Sequence, residues 1–235
     1  MTHSMKIQHV ISRPFDDQKP GTSGLRKKVT VFQQPHYLEN FVQSIFHIAG
    51  NLNGGKLILG GDGRYYNKQA IQIIIKMAAA AGVSQLLIGQ HGLLSTPAVS
   101  ALVRKYQADG GIILSASHNP GGADGDFGIK FNISNGGPAP TSFTDAVFEY
   151  SKTIGEYQIT EDENIDLSML GVQTRGDMSV EIIDSVADYA DLMSHLFDFN
   201  LIQSMFNAGF RMRFDAMHAI TGPYAIEILE NQLGA

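Results

Sequence analysis

A serine and a histidine lie side by side on a glycine-rich segment that directly follows a short apolar run. The run is Gly111-Ile-Ile-Leu114, and the segment is Ser115-Ala-Ser-His-Asn-Pro-Gly-Gly122. A serine hydroxyl acts as a nucleophile when its surroundings activate it, and glycines allow the exposed, irregular backbone that such a loop requires. Because α/β proteins keep their chemistry at the carboxyl ends of strands, Ser117 is a candidate nucleophile.

His118, beside this serine, fits two roles equally well. Its imidazole titrates near neutral pH and could relay a proton, or it could fix the loop by a hydrogen bond. A lone Ser-His pair is more often a turn or a cap than a catalytic pair. The complete glycine-rich motif at the end of a strand favours chemistry over that simpler interpretation.

Basic side chains elsewhere in the chain suit a negatively charged reactant. Arg26 follows Gly21-Thr-Ser-Gly24, and its planar guanidinium offers several donors to phosphate oxygens. Lys130 lies in Gly128-Ile-Lys-Phe131, where its apolar neighbours would face the other side of a strand. A lysine directed into a polar site can have a lowered pKa and act as acid or base. The alternatives are a solvated loop for the segment before Arg26 and a solvated position at the sheet edge for Lys130.

The segment Gly60-Gly-Asp-Gly-Arg64 ends another apolar run and brings an acid close to a base. Asp62 and Arg64 either form an ion pair that braces the site or contact a ligand directly. We place both behind the residues that would touch the reactant.

Apolar runs of strand length alternate with segments of helical period, as in a mostly parallel sheet covered by helices. The runs predict strands at 57–59, 86–88, 112–114 and 129–131, and the periodic segments predict helices over 67–81, 96–107 and 141–153. Ser95 or Thr96 is the expected cap of the second helix. An apolar stripe predicts a helix over 180–197 after a polar, acidic connector at 155–179. A strand at 210–214 and a helix over 222–229 would open a further unit.

Composition narrows the class of protein. The 235 residues are 43% hydrophobic and 17% charged, with a net charge of -6, which argues against a nucleic-acid partner. The absence of cysteine excludes disulfides and thiolate metal sites. No apolar stretch has membrane-spanning or secretory character, so we expect a cytoplasmic protein without a membrane partner. No nucleotide-binding loop or dinucleotide fingerprint appears, and bound ATP or NAD is not expected.

The motif around Ser117 resembles the phosphoserine loop of the α-D-phosphohexomutases. Its extension Gly125-Asp-Phe-Gly-Ile-Lys-Phe-Asn132 looks like the phosphoglucomutase branch, and Gly21-Thr-Ser-Gly-Leu-Arg26 matches the opening signature of the family. The resemblance implies a three-layer α/β/α fold with a mixed, mostly parallel sheet, plus the start of a second similar domain. Residues 1–195 would form the first domain and 196–235 the truncated start of the second.

The resemblance also implies an activity, the reversible conversion of α-D-glucose 1-phosphate and glucose 6-phosphate. Ser117 would carry a phosphate that also binds Mg²⁺, with His118 beside it and Lys130 as general acid or base. Glucose 1,6-bisphosphate would be intermediate and activator, and the expected partners are sugar phosphates; the oligomeric state stays open. The residues expected to bind phosphate are Thr22, Ser23, Arg26 and Ser117.

The family carries an aspartate-rich metal loop and a sugar-specificity loop further along its chain. We find neither here, so we expect a truncated first half that does not turn over by itself. A non-catalytic binding or structural relative, or a fragment that only folds, is one alternative. A mutase for another hexose phosphate, such as mannose or glucosamine phosphate, is another.

Overall fold

The computed structural model describes residues 6–21 and 24–235. Its strands are β1 (Ile7–Ile11), β2 (Leu25–Lys28), β3 (Lys56–Gly61), β4 (Gln85–Leu93), β5 (Gly110–Leu114), β6 (Asp126–Ile133), β7 (Glu156–Thr160), β8 (Gly171–Arg175) and β9 (Met178–Ile183). Its helices are α1 (Val29–Phe32), α2 (Tyr37–Ala49), α3 (Asn67–Ala80), α4 (Thr96–Lys105), α5 (Thr141–Ser151), α6 (Ala187–Leu196), α7 (Phe199–Asn207) and α8 (Thr221–Ala225), which continues as a π-helix (Ile226–Gln232).

The main sheet has the strand order β2-β6-β5-β3-β4-β9-β8 among the described residues. β5, β3, β4 and β9 at its centre run parallel, whereas β2, β6 and β8 join by antiparallel pairing. β1 and β7 pair with each other in a separate antiparallel ribbon. This mixed sheet with helices on both faces confirms the fold class that the resemblance implied.

The sheet separates two hydrophobic clusters formed by the described residues. Leu57 and Leu59 of β3 point into a cluster with α2 and α3, and Ile58 between them points into a cluster with α4. Because both faces are covered, the central strands are apolar along most of their length instead of alternating with polar residues. The carboxyl ends of β3, β4 and β5 therefore emerge from a rigid core at one edge of the sheet.

Three of the predicted helices are confirmed with small changes at their ends. α3, α4 and α5 correspond to the predicted segments 67–81, 96–107 and 141–153, and each ends one or two residues earlier than predicted. Ser95 is the cap of α4, because its Oγ accepts the Ala98 N–H at 3.2 Å. The four predicted strands are present as β3, β4, β5 and β6.

The helix predicted over 180–197 was wrong in its first part. Residues Met178–Ile183 form β9, which pairs with β4 and with β8, and the helix begins only at Ala187. Val180, Ile182 and Ile183 are β-branched and buried, which suits a strand packed on both faces. The connector at 155–179 likewise contains β7 and β8.

The predicted strand at 210–214 is also wrong, since these residues are irregular. Phe210, Met212 and Phe214 are about half exposed, and none of the described strands pairs with this segment. Their alternation mimics a strand, but a strand needs a neighbour for its backbone hydrogen bonds. The predicted helix at 222–229 is present as α8 and the π-helix.

None of the described helices is both long enough and apolar enough to cross a membrane.

Replacing Leu59 with alanine should destabilise the fold by about 2–5 kcal/mol, because the change leaves a cavity in the centre of the sheet. Leu59 is fully buried, whereas Leu170 is 55% exposed and provides the matched control. Urea denaturation followed by circular dichroism measures both free energies of unfolding. Equal effects of Leu59→Ala and Leu170→Ala would contradict the described core.

Candidate active site

Ser117 lies on the loop that follows β5, with its side chain exposed. Its φ is 56°, in the left-handed region that residues other than glycine rarely adopt. Its own N–H donates to Ser115 Oγ at 2.9 Å, and the Asn119 N–H donates to the Ala116 carbonyl at 3.2 Å. The loop thus holds a strained backbone that presents the Ser117 hydroxyl to solvent.

Two cations converge on the Ser117 hydroxyl. Arg26 Nη2 donates to Ser117 Oγ at 3.1 Å, and Lys130 Nζ donates to the same oxygen at 3.3 Å. Sheet register explains the convergence: Arg26 of β2 pairs with Gly128 of β6, and Lys130 pairs with Ile113 of β5. Gly128 and Lys130 are two apart on β6 and therefore share a face of the sheet. Since Arg26 lies directly opposite Gly128, Arg26 and Lys130 reach the same side of the sheet.

Arg64 ties the Ser117 loop to the end of β3. Its Nη2 donates to the Ser117 carbonyl at 3.0 Å, and its Nη1 donates to the Asp126 carbonyl at 2.7 Å. The same guanidinium donates from Nε to both carboxylate oxygens of Asp62 at 3.0 Å. The Arg64 side chain is only 8% exposed. The Asp62–Arg64 ion pair therefore braces the loop from behind Ser117.

Asp126 secures the other end of the loop. Its carboxylate accepts from Lys28 Nζ at 2.8 Å and from Asn119 Nδ2 at 2.9 Å. The hydrogen bond from Lys28 is the main reason that the pKa of Asp126 lies below its usual range, with Asn119 and the charge of Arg64 adding to it. Asp126 thus remains ionised and holds Asn119, two residues from Ser117.

The pKa of Lys130 lies below its ordinary value. Burial is the main cause, and the positive charges of Arg26 and Arg64 lower it further, while Asp62 acts in the opposite direction. A lowered pKa brings the neutral amine closer to physiological pH. A larger fraction of Lys130 is therefore neutral than of a solvated lysine, so its amine can serve as a base as well as an acid.

Arg26 keeps hydrogen-bonding capacity for an anion. Its Nε is buried and has no hydrogen-bond partner among the described residues, although its Nη2 contacts Ser117. A buried donor without a partner is costly, and a phosphate oxygen close to Ser117 is a group that would satisfy it. The donor set around Ser117 thus fits a phosphate carried on this hydroxyl.

The Ser117 loop lines a cleft of about 730 Å³, and His118 is exposed in it. The His118 side chain makes no hydrogen bond within the part of the chain that the structure describes, so no loop-fixing contact supports the alternative role. The cleft has a second lining from a distant segment, Met217–Thr221. Thr22 and Ser23, which were predicted to bind phosphate, lie outside the described residues.

Few side chains near Ser117 could act as ligands of a metal ion. Residues 6–21 and 24–235 contain no group of three or more His, Cys, Asp or Glu side chains that could hold an ion. The basic side chains Arg26, Arg64 and Lys130 instead dominate the surroundings of Ser117. These residues fit the phosphate but do not by themselves make a metal centre.

Known proteins are similar to this chain in both sequence and fold. The family model for phosphoglucomutase/phosphomannomutase, alpha/beta/alpha domain I, matches residues 17–158, and the chain belongs to this family. The phosphoglucomutase of Rhizobium radiobacter is 57% identical over 97% of this chain and 42% of its own length. Phosphoglucomutase-1 of Bos taurus is 52% identical over 98% of this chain and 43% of its own length.

A solved structure extends the likeness to three dimensions. The open form of the exocytosis-sensitive phosphoprotein pp63/parafusin, a phosphoglucomutase from Paramecium, superposes with a TM-score of 0.94 at 46% identity. The match covers 97% of this chain and 44% of the Paramecium chain. The chain therefore spans less than half the length of the relatives that it matches.

The sequence did not reveal several of the contacts that shape this site. The bonds from Arg64 to the Ser117 and Asp126 carbonyls involve backbone atoms, which leave no signal in residue types. His218 lines the Ser117 cleft, but it lies 101 positions further along the chain and carries no spacing that points to the loop.

Replacing Arg64 with glutamine should loosen the Ser117 loop, because two hydrogen bonds to carbonyls are lost and Asp62 loses its cation. We expect amide hydrogen exchange in residues 117–126 to accelerate by about tenfold or more, as the loss of one or two hydrogen bonds implies. Exchange in β3 should stay unchanged. Arg104→Gln, at an exposed position of α4, is the control; similar acceleration in both variants would refute the bracing role.

Replacing Arg26 with alanine should raise the pKa of Lys130, because one of the two positive charges that lower it is removed. NMR titration of the lysine side chains, with Lys130→Arg used for assignment, measures the change. Arg104→Ala should leave the pKa of Lys130 where it is. A fall in the pKa after Arg26→Ala would contradict the electrostatic account.

Proposed function

We propose that this chain is the phosphoserine-bearing portion of a phosphoglucomutase, which interconverts α-D-glucose 1-phosphate and glucose 6-phosphate. The observation that carries the proposal is the Ser117 hydroxyl held between Arg26 and Lys130. The names of the relatives that are more than half identical support glucose as the sugar.

The first step transfers the phosphoryl group from Ser117 to the free hydroxyl of the sugar phosphate. The bond between phosphorus and Ser117 Oγ breaks as the sugar oxygen forms a bond to phosphorus. The Lys130 ammonium gives a proton to the leaving Ser117 Oγ, which restores the hydroxyl, and the resulting amine takes up the proton of the sugar hydroxyl. The product is glucose 1,6-bisphosphate bound to unphosphorylated enzyme.

The second step runs the same chemistry in reverse from the other end of the bisphosphate. Ser117 Oγ attacks the second phosphate, Lys130 gives its proton to the leaving sugar oxygen, and the resulting amine takes up the serine proton. Glucose 1,6-bisphosphate is thus intermediate and activator, since it also phosphorylates a resting enzyme that has lost its phosphate. Ser117 is phosphorylated again at the end of each cycle.

Charge stabilisation is the main task of the protein in this reaction. The moving phosphoryl group carries close to two negative charges, and phosphoryl transfer depends on positioning and on fixed positive charge. Arg26 supplies the planar donors, and Arg64 and Asp126 keep the loop from moving. His118 would orient the phosphoserine from the same loop, and Thr22 and Ser23 stay predicted phosphate contacts.

Mg²⁺ would bind through the phosphate on Ser117 and add positive charge there. The described residues contain no cluster of metal ligands, so we propose that the remaining ligands come from outside them and that the 235-residue chain alone does not turn over. The division into residues 1–195 and 196–235 and the cytoplasmic location stay predictions.

The proposal can be tested by grafting this chain in place of the matching part of the Rhizobium radiobacter phosphoglucomutase, which is 57% identical to it. We expect the graft to convert glucose 1-phosphate to glucose 6-phosphate. Ser117→Ala in the same graft should abolish turnover, because Ser117 carries the hydroxyl that both Arg26 and Lys130 contact in the described part of the chain. A coupled dehydrogenase assay for glucose 6-phosphate measures both rates.

Ser134→Ala provides a matched control, because this serine lies just beyond β6, away from the cations. Turnover by the Ser117→Ala graft at near the unsubstituted rate would refute the nucleophile. A folded graft that converts mannose 1-phosphate and not glucose 1-phosphate would retain the family and replace the sugar. A folded graft that converts neither would favour a non-catalytic binding relative.

A further inference from the structure

The cleft at Ser117 is built from two parts of the chain that are far apart in sequence. Ser117 and His118 line it from the loop after β5, and Met217, His218 and Thr221 line it from the segment before α8. The His218 side chain is exposed and makes no hydrogen bond within the described part of the chain. A second imidazole is therefore available to a molecule that enters the cleft.

The backbone at His218 is strained in the same way as the backbone at Ser117. Met217 and His218 have φ values of 46° and 62°, so two consecutive residues other than glycine are left-handed. The Met217 N–H donates to Asp215 Oδ1 at 2.8 Å, and the Ala219 N–H donates to the Ala216 carbonyl at 2.7 Å. Strained residues that the surroundings hold in place are concentrated at ligand-binding sites.

Tyr224 fastens this segment to the domain that carries Ser117. Its ring is 7% exposed and packs edge-on against Tyr189, with ring centroids 5.4 Å apart. Its hydroxyl donates to the Ser185 carbonyl at 2.7 Å and accepts the Ser95 N–H at 3.1 Å. Ser95 is the cap of α4, and Ser185 lies between β9 and α6. One side chain therefore joins the start of α8 to two elements of the central fold.

The charges in the cleft indicate what it can hold. Arg64, paired with Asp62, lines the cleft, and the imidazoles of His118 and His218 add further donors. Arg26 and Lys130 are not among the lining residues, but both contact the hydroxyl of Ser117, which is one of them. Asp62 is the carboxylate that lines the cleft, and its oxygens accept hydrogen bonds from Arg64. A molecule with a phosphate and several hydroxyl groups matches such a surface.

We propose that His218 is a second contact for the sugar phosphate in the Ser117 cleft, and that Tyr224 is the residue that positions it. The proposal rests on the proposed function and extends it, because it adds a binding residue from outside the phosphoserine loop. His218 donates a hydrogen bond to an oxygen of the bound sugar phosphate. Tyr224 acts only through the backbone that it anchors, six residues from His218.

Histidine NMR on the 235-residue chain tests both parts of the proposal. Glucose 6-phosphate is the probe, and glucose without phosphate is the matched control. His118→Gln and His218→Gln each remove one imidazole signal, and the missing signal identifies that histidine in the spectrum of the unsubstituted chain. We expect the signals of His118 and His218 to shift along one saturation curve with glucose 6-phosphate, with no such shift for His47 or with glucose.

Tyr224→Phe separates positioning from binding, because it removes the hydroxyl and keeps the buried ring. In this variant His218 should lose most of its shift while His118 keeps its own, and a thermal melt confirms that the fold persists. Tyr150→Phe, which lies on α5 beside His47, is the control and should leave both shifts intact.

The outcomes separate this proposal from the proposed function. A shift of His118 without any shift of His218 in the unsubstituted chain would overturn the role of His218 and leave the proposed function standing. An equal His218 shift in the folded Tyr224→Phe variant would overturn the positioning role. If neither histidine shifts, this chain does not bind the sugar phosphate in the cleft and the role of His218 is overturned, whereas turnover by the graft decides the proposed function separately.

Discussion

Arg26 and Lys130 are held within hydrogen-bond distance of one hydroxyl, although their like charges repel each other. The antiparallel pairing of β2 with β6 and of β6 with β5 fixes both side chains on one side of the sheet. Without an anion the arrangement is unfavourable, and the pKa of Lys130 is lowered mainly by burial and further by the charge of Arg26. A phosphate on Ser117 reverses the balance, since each cation then faces negative charge.

The loop that carries Ser117 must keep an unfavourable backbone conformation within reach of these cations. Arg64 and Asp126 hold it through bonds to carbonyls and to Asn119, and close backbone packing restricts it further. A Cβ atom on Gly128 would lie 2.4 Å from the Ser115 carbonyl oxygen. The glycine is therefore required for β6 to lie directly against the loop, and only that proximity brings Lys130 to the serine.

The sequence predicted the parts of the site that form continuous motifs. Ser117, Arg26 and Lys130 were found because each lies in a short pattern whose strand context could be read locally, and the structure brings the three together. α3, α4 and α5 were predicted for the same reason, since their periodicity is local. The roles of these residues in catalysis stay proposals.

The errors have a common physical origin in contacts between distant segments. The stripe over 180–197 combined a strand with a helix. Buried and half-buried residues alternate from Met178 to Ile182, and pairing with β4 and β8 makes this segment a strand. The alternation at 210–214 predicted a strand that none of the described strands pairs with. His218 and the carbonyl bonds of Arg64 depend on how the chain folds back on itself, and residue types along the chain do not encode that.

The central claim is that Arg26 and Lys130 are arranged to hold a phosphate on Ser117. Its most direct test is the second pKa of phosphoserine 117, installed by genetic encoding in this chain and followed by ³¹P NMR. Ordinary phosphoserine has a second pKa of about 6, and two adjacent cations should hold it well below that value by favouring the dianion. A pKa at or above about 6 would mean that the phosphate lies free in solvent and would contradict the account.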